Sequence, residues 1–229
     1  MRKSKQELIG SLNHDELTKL CSELIMLGGE NPPGNTTKIA DYIKQRLANK
    51  GITVKLYEPV KNMPNLVCSI GSGKPRLVLC GHLDVFPVGH NWSFDPFCGK
   101  LVDGKILGRG AVDMKAGVAS AITCIESLLK YENRLNGTLT LALFSDEENM
   151  GFGGAQWMLE NVSEVRGDAC FIGEPARSDV ITLGEKGVLW LKLSAEGELA
   201  HGAYAHDDNA VIKLIKTVLM IEDLKKITN

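Results

Sequence analysis

The sequence has no excess of either charge: 26 Lys and Arg stand against 28 Asp and Glu in 229 residues. That balance excludes an overall basic field for nucleic acid or anionic lipid. No stretch approaches the roughly 18 uninterrupted apolar residues of a membrane span, and MRKSKQELIG at the N-terminus lacks the apolar core of a secretory signal. A cytoplasmic protein with no nucleic-acid and no membrane partner is expected. Repeats, low-complexity tracts and C-x-x-C pairs are also lacking. Cys21, Cys68, Cys80, Cys98, Cys124 and Cys170 are scattered, and Cys80 and Cys170 lie inside apolar runs, so reduced thiols are expected.

What is present is an ordinary globular composition, 44% hydrophobic and 24% charged, long enough for one large domain or two smaller ones. Leu17, Leu20, Leu24 and Leu27 form a helical stripe over Asp15 to Leu27, which ENPPGN stops. Thr36 or Thr37 can cap a second helix, with Ile39, Ile43 and Leu47 on one face and Gly51 at its end. Short β-rich runs then alternate with helical ones: ITVKLYE, NLVCSI, RLVLCG, a helix over Lys115 to Lys130, TLTLALFS, a short helix near Gln156 to Leu159, and ACFIG. This order predicts an α/β fold, a mostly parallel sheet flanked by helices, with RLVLC, LTLALF and ACFI as strands buried on both faces. Around Val180 the texture changes, and a boundary is placed near Leu183. VITLGEKGVLWLKLSAEGE predicts two strands around a turn, followed by an amphipathic helix over Ala210 to Leu224, so the expected domains are 1–183 and 184–229.

Each apolar run ends in metal-type or acidic residues: His82 and Asp84, then Asp146, Glu147 and Glu148, then Glu174. In open α/β sheets the ligand crevice lies beyond the carboxyl ends of the strands, so these side chains should converge. Asp113, in the glycine-rich GRGAVDMKAG before a helix, can reach the same edge. His82 and Asp84 fall on one side of extended chain, where a carboxylate can fix the tautomer of a metal-binding imidazole. Glu147 and Glu148 should point apart and differ in role, one towards metal and one towards a proton. Taken singly, each feature is ordinary: a satisfied histidine, or solvated glutamates. Together His82, Asp113, Glu148 and Glu174 would crowd negative charge at one crevice, a conflict that a pair of dications resolves. Imidazole and carboxylate donors without thiolate suit zinc, with cobalt or manganese as substitutes, and Asp113 could bridge the two ions.

NPPGN, GHLDVFPVG with NWSFDPF, DGKILGRGAVDMKAG, SDEENMGFGG and IGEP occur in the order of the M20 metallopeptidase family, the acetylornithine deacetylase and succinyl-diaminopimelate desuccinylase group, and the chain resembles it over nearly its whole length. The resemblance implies a zinc-peptidase-like catalytic domain followed by the first part of an α+β lid and dimerisation domain. It makes His82 and Glu174 ligands of one zinc, Asp113 the bridge and Glu148 a ligand of the other zinc. Asp84 would orient His82, and Glu147 would be the general base. A cis peptide at Asp113-Met114 is implied as well. AHGAYAH resembles the lid segment whose histidine, here His201, stabilises the oxyanion in the partner subunit of a homodimer; His206 is less closely matched, and Ala205 stands where relatives often have proline.

The implied substrates are N-acyl amino acids or short peptides, with removal of an N-acyl group or cleavage of a terminal peptide bond. Relatives are longer and supply a further histidine to the zinc held by Glu148; His14 and His90 are not placed to replace it. The second metal site is therefore expected to be incomplete in this chain. A truncated, non-catalytic remnant that binds at most one metal or only dimerises is the alternative. A nucleotide-binding reading of GRGAVDMKAG is weak, because the loop has neither G-x-G-x-x-G nor a P-loop Lys-Ser/Thr ending.

Overall fold

The computed structural model describes residues 9–10, 12–175, 180, 187, 189–199, 201–203 and 208–223. The chain divides into two compact units, Met1–Val180 and Ile181–Asn229. The expected boundary at Leu183 lies outside the described residues.

In the first unit, helix α1 (His14–Met26) begins at Asn13, whose side-chain oxygen accepts from the amides of Asp15 and Glu16. It buries Leu20, Cys21, Leu24 and Ile25. Helix α2 (Thr37–Ala48) buries Ile39, Ala40, Ile43 and Leu47. Thr36 precedes it without a side-chain cap bond, because its hydroxyl is 2.6 Å from that of Ser145 and is taken up there. Strands β1 (Lys55–Val60), β2 (Met63–Ser72) and β3 (Arg76–His82) follow, then the small hairpin β4 (Lys100–Val102) and β5 (Lys105–Leu107). An irregular turn over Ala111–Lys115 leads into helix α3 (Ala116–Leu129); β6 (Gly137–Phe144), the short helix α4 (Trp157–Asn161) and β7 (Ala169–Ile172) complete the unit.

The sheet order is β1-β2-β6-β3-β7. The segments read as a parallel core are mutually parallel, with β3 between β6 and β7. The hairpin of β1 and β2 extends this core antiparallel to β6, so the sheet is mixed. β6 and most of β2 are buried, and α1, α2 and α3 cover one face through Leu24, Ile43, Val118 and Ile122. One expectation fails: β7 is not buried on both faces. It is the outermost strand, and Phe171 and Ile172 are more than half exposed. An apolar run read along the sequence does not reveal whether a strand is central or marginal. No disulfide joins the cysteines.

In the second unit, helix α5 (Ala210–Asp223) is capped by Asn209, whose side-chain oxygen accepts from the amides of Val211 and Ile212. Lys213 Nζ donates to the carbonyl of Glu196 at 3.0 Å. The predicted strands are not found among the described residues: 189–199 carry none, having no described ladder neighbour for their backbone groups. The rest of the predicted pair falls largely outside the described residues. No described helix is long and apolar enough to cross a membrane.

Candidate metal centre

The parallel core decides what meets at its carboxyl edge. His82 ends β3 directly opposite Phe144, the last residue of β6, and Cys80 stands opposite Ile172, the last residue of β7. The residues just beyond these strands, Glu147 and Glu148 after β6 and Glu174 after β7, therefore emerge beside His82. His82 Nε2 lies 2.9 Å from Asp113 Oδ1, 3.3 Å from Glu174 Oε1 and 3.8 Å from Glu147 Oε2. The imidazole is buried; Asp113, Glu147 and Glu174 are each about half exposed and open the site to solvent.

Two groups of donor atoms have all members within 4.8 Å of one another: His82 with Asp113 and Glu174, and His82 with Glu147 and Glu148. Asp113 belongs to the first group, and its charge also acts on Glu148. Glu147 and Glu148 do differ in environment. Glu147 faces the imidazole, whereas Glu148 Oε1 accepts from the amide of Phe86 at 2.8 Å.

Asp84 is fully buried and acts through two different groups. Its backbone carbonyl lies 3.0 Å from His82 Nδ1, so Nδ1 donates there, and Nε2, which gives up its own proton when it ligates, is the atom turned towards the acidic side chains. Its carboxylate accepts from the amides of Glu147 and Glu148 and from the side-chain amide of Asn31.

The electrostatics reflect this crowding. Burial opposes a charge on His82, but Asp113, Asp84 and Glu174 outweigh it and push the imidazole up to about 12. Burial also works against ionisation of Asp84, yet bonds from His82, Asn31 and the Glu148 amide hold its carboxyl below the ordinary range. Asp113 is held low chiefly by its bond to His82. Glu147 and Glu148 are raised, first by burial and then by neighbouring carboxylates. The cluster thus draws positive charge to Nε2. One imidazole nitrogen among carboxylate oxygens, with no thiolate in either donor group, is a set that fits a borderline divalent cation.

Residues 78–224 match the model of Peptidase family M20/M25/M40. The chain belongs to the M20 peptidase family. It is 34% identical over 194 residues to succinyl-diaminopimelate desuccinylase of Rhodospirillum centenum, covering 79% of this chain and 50% of that protein. The same-named protein of Ehrlichia canis is 30% identical over 220 residues, 90% of this chain and 56% of its own length. The chain thus spans about half the length of these relatives. Among solved structures, the M20 family metallo-carboxypeptidase Sso-CP2 from Sulfolobus solfataricus superposes with a TM-score of 0.60 at 24% identity, covering 69% of this chain and 37% of that one. Human carnosine dipeptidase 1 gives 0.59 at 21%, covering 75% and 40%. At these identities the two structures share the M20 catalytic-domain fold with this chain.

The cis peptide implied by the M20 resemblance is present at Asp113-Met114. Other supports of this M20 site are not evident from sequence. Lys115 is wholly buried, and its ammonium donates to the carbonyls of Gly28 and Leu83, beside His82. At the start of α3, Gly117 packs on Gly173: a Cβ on Gly117 would lie 2.4 Å from the Gly173 carbonyl oxygen, so only glycine lets the backbone leading to Glu174 come so close. Asn31 and Asp146 join the cluster from below. The signal for Asn31 was its place in ENPPGN, which marks a helix stop and belongs to the motifs of the M20 resemblance, and Asp146 already stood among the acidic residues read at a strand end. His201 lies in the second unit, where its Nδ1 accepts from the amide of Ala203; His206 is outside the described residues.

Proposed function

We propose that the chain carries the metal centre of a co-catalytic zinc amidohydrolase that removes an N-acyl group from an amino-acid derivative. The named relatives favour a succinyl group, with cleavage of a terminal peptide bond as the nearby activity. The observation that carries this reading is the convergence of Asp113, Glu174 and Glu147 on His82 Nε2 from separate segments.

In this reading His82, Asp113 and Glu174 would hold one ion, and Asp113 and Glu148 would hold the other. Zinc is the natural occupant, and cobalt or manganese are substitutes. When bound, the ions polarise the scissile carbonyl and lower the pKa of the attacking water. Glu147 would take a proton from the attacking water at its exposed carboxylate. The water oxygen bonds to the carbonyl carbon, the C–N bond breaks, and Glu147 returns the proton to the leaving amine. Asp84 keeps His82 in the ligating tautomer. Residues 1–183 form the catalytic domain and 184–229 the first half of a lid and dimerisation domain, through which His201 serves the partner subunit of a cytoplasmic homodimer.

A second reading, a remnant that binds one ion without turnover, is favoured by one observation: both donor groups share His82, so the described residues supply one full set of ligands rather than two. The decisive experiment is a panel of N-succinyl, N-acetyl and dipeptide substrates with zinc or cobalt, run on this chain and on a longer chain containing it, with ions counted per chain. Hydrolysis that falls about 100-fold or more in Glu147→Gln supports the proposed mechanism. Normal turnover by that variant overturns it, and one ion per chain without hydrolysis in either form selects the remnant.

A further inference from the structure

Beneath the site lies an arrangement that the proposed chemistry does not use. Asn31, Asp84 and Asp146 are all buried, at 2%, 0% and 7% exposure. The Asn31 side-chain nitrogen is 2.9 Å from Asp84 Oδ2 and 3.2 Å from Asp146 Oδ1. With acceptors on both sides, only the amide nitrogen can face them, and its two protons serve one carboxylate each. A neutral donor thereby sits between two buried anions that would otherwise repel.

Each carboxylate in turn holds one end of the segment that bears the site glutamates. Asp84 accepts from the amides of Glu147 at 3.2 Å and Glu148 at 3.1 Å. Asp146 Oδ2 accepts from the amide of Gly153 at 2.9 Å, and its carbonyl accepts from the amide of Gly151. Asn31 itself is fixed: its amide donates to the carbonyl of Val85, whose amide donates to the carbonyl of Gly29.

We infer that Asn31 is a positioning residue for Glu147 and Glu148: its single amide ties both ends of the 147–153 segment to the strand end carrying His82. It belongs to neither group of donor atoms. The inference rests on the proposed function for its kinetic consequence, but its structural core does not. Without the amide, the segment loses its common anchor, and Glu147 no longer presents its carboxylate at a fixed distance from the reacting atoms.

The test compares Asn31→Asp, which keeps the shape and replaces the donor by an acceptor, with Asn31→Ala and with Ile122→Val, a distant core change that lowers stability without touching the network. Amide hydrogen exchange is measured residue by residue in the full chain, and binding of Co²⁺ is followed by calorimetry. The expected result is at least 10-fold faster exchange at Glu147, Glu148 and Gly153 in both Asn31 variants relative to Ile122→Val at matched stability. Co²⁺ affinity at the His82, Asp113 and Glu174 group should change less than 3-fold. In any hydrolytically active form, kcat should fall at least 10-fold with KM within 2-fold.

Equal exchange in Asn31→Asp and the unaltered chain would overturn the inference, as would faster exchange spread evenly over the molecule. If neither Asn31 variant folds, the unaltered chain still decides: side-chain amide protons of Asn31 exchanging at unprotected rates overturn it, and protected ones support it. Absence of hydrolysis in every form would defeat the proposed function and leave the exchange result standing.

Discussion

His82 Nδ1 lies 3.0 Å from the backbone carbonyl of Asp84 and 3.5 Å from its carboxylate. The nearer contact belongs to an atom that every residue has, and the carboxylate is engaged mainly with the amides of Glu147, Glu148 and Asn31. Asp84→Asn should therefore leave the imidazole in the same tautomer, visible as an unchanged pattern of ring nitrogen shifts. Affinity for a second equivalent of zinc, or turnover in an active form, should fall about 10–100-fold. A shift of the proton to Nε2 in this variant would mean that the carboxylate, not the carbonyl, sets the tautomer.

The contact between Gly117 and Gly173 places Glu174. A methyl group at residue 117 would meet the Gly173 carbonyl oxygen at 2.4 Å, and backbone rather than a flexible side chain would have to give way. Gly117→Ala should weaken divalent-cation binding at the His82, Asp113 and Glu174 group by about 10-fold or more while leaving the helix content by circular dichroism unchanged.

Arg46 and Glu126 join α2 to α3 through paired bonds of 2.7 and 2.9 Å. Both side chains are largely buried, and Glu126→Ala leaves the guanidinium to its longer, 3.3 Å contact with the exposed Glu16. A loss of about 2–3 kcal/mol in urea unfolding is expected, with no change in metal affinity, because the pair stands apart from the donor groups.

Cys21 and Cys68 contribute to the alkaline pH dependence together with Cys80, whose thiol burial also raises to about 12, and against Lys115, whose ammonium burial lowers to about 7. Burial raises the Cys21 and Cys68 thiols to about 11 and about 12, against 9.0 when unfolded. Between about pH 9 and 11 these thiols outnumber the one ammonium, so the native state binds more protons than the unfolded chain, and stability falls as pH rises. The melting temperature should drop across that interval, and Cys68→Ala should make the drop shallower.

Much of the fold and the donor cluster was legible in the sequence because strand ends are local signals. RLVLCGH, LTLALF and ACFI each read as a strand from their own residues, and a shared direction brings the side chains just past them to one edge. Helices α1, α2 and α3 end within one or two residues of the positions their apolar spacing indicates. The supports were not legible, since Asn31 meets Asp146 across 115 positions and Lys115 meets Gly28 across 87. A buried polar residue looks like a surface one until its partner is known. The exposure of β7 was hidden for a related reason: position in a sheet is a property of the other strands.

That outermost strand has a consequence for how the molecule behaves in company. Among the described residues Ala169–Ile172 pairs on one side only, with β3, and its open row of peptide groups lies beside a phenylalanine ring, with no lysine or proline in the strand to discourage a newcomer. Such a border is adhesive. As protein concentration rises, copies of this chain should zip together along it, and charge placed at Phe171 should keep them apart.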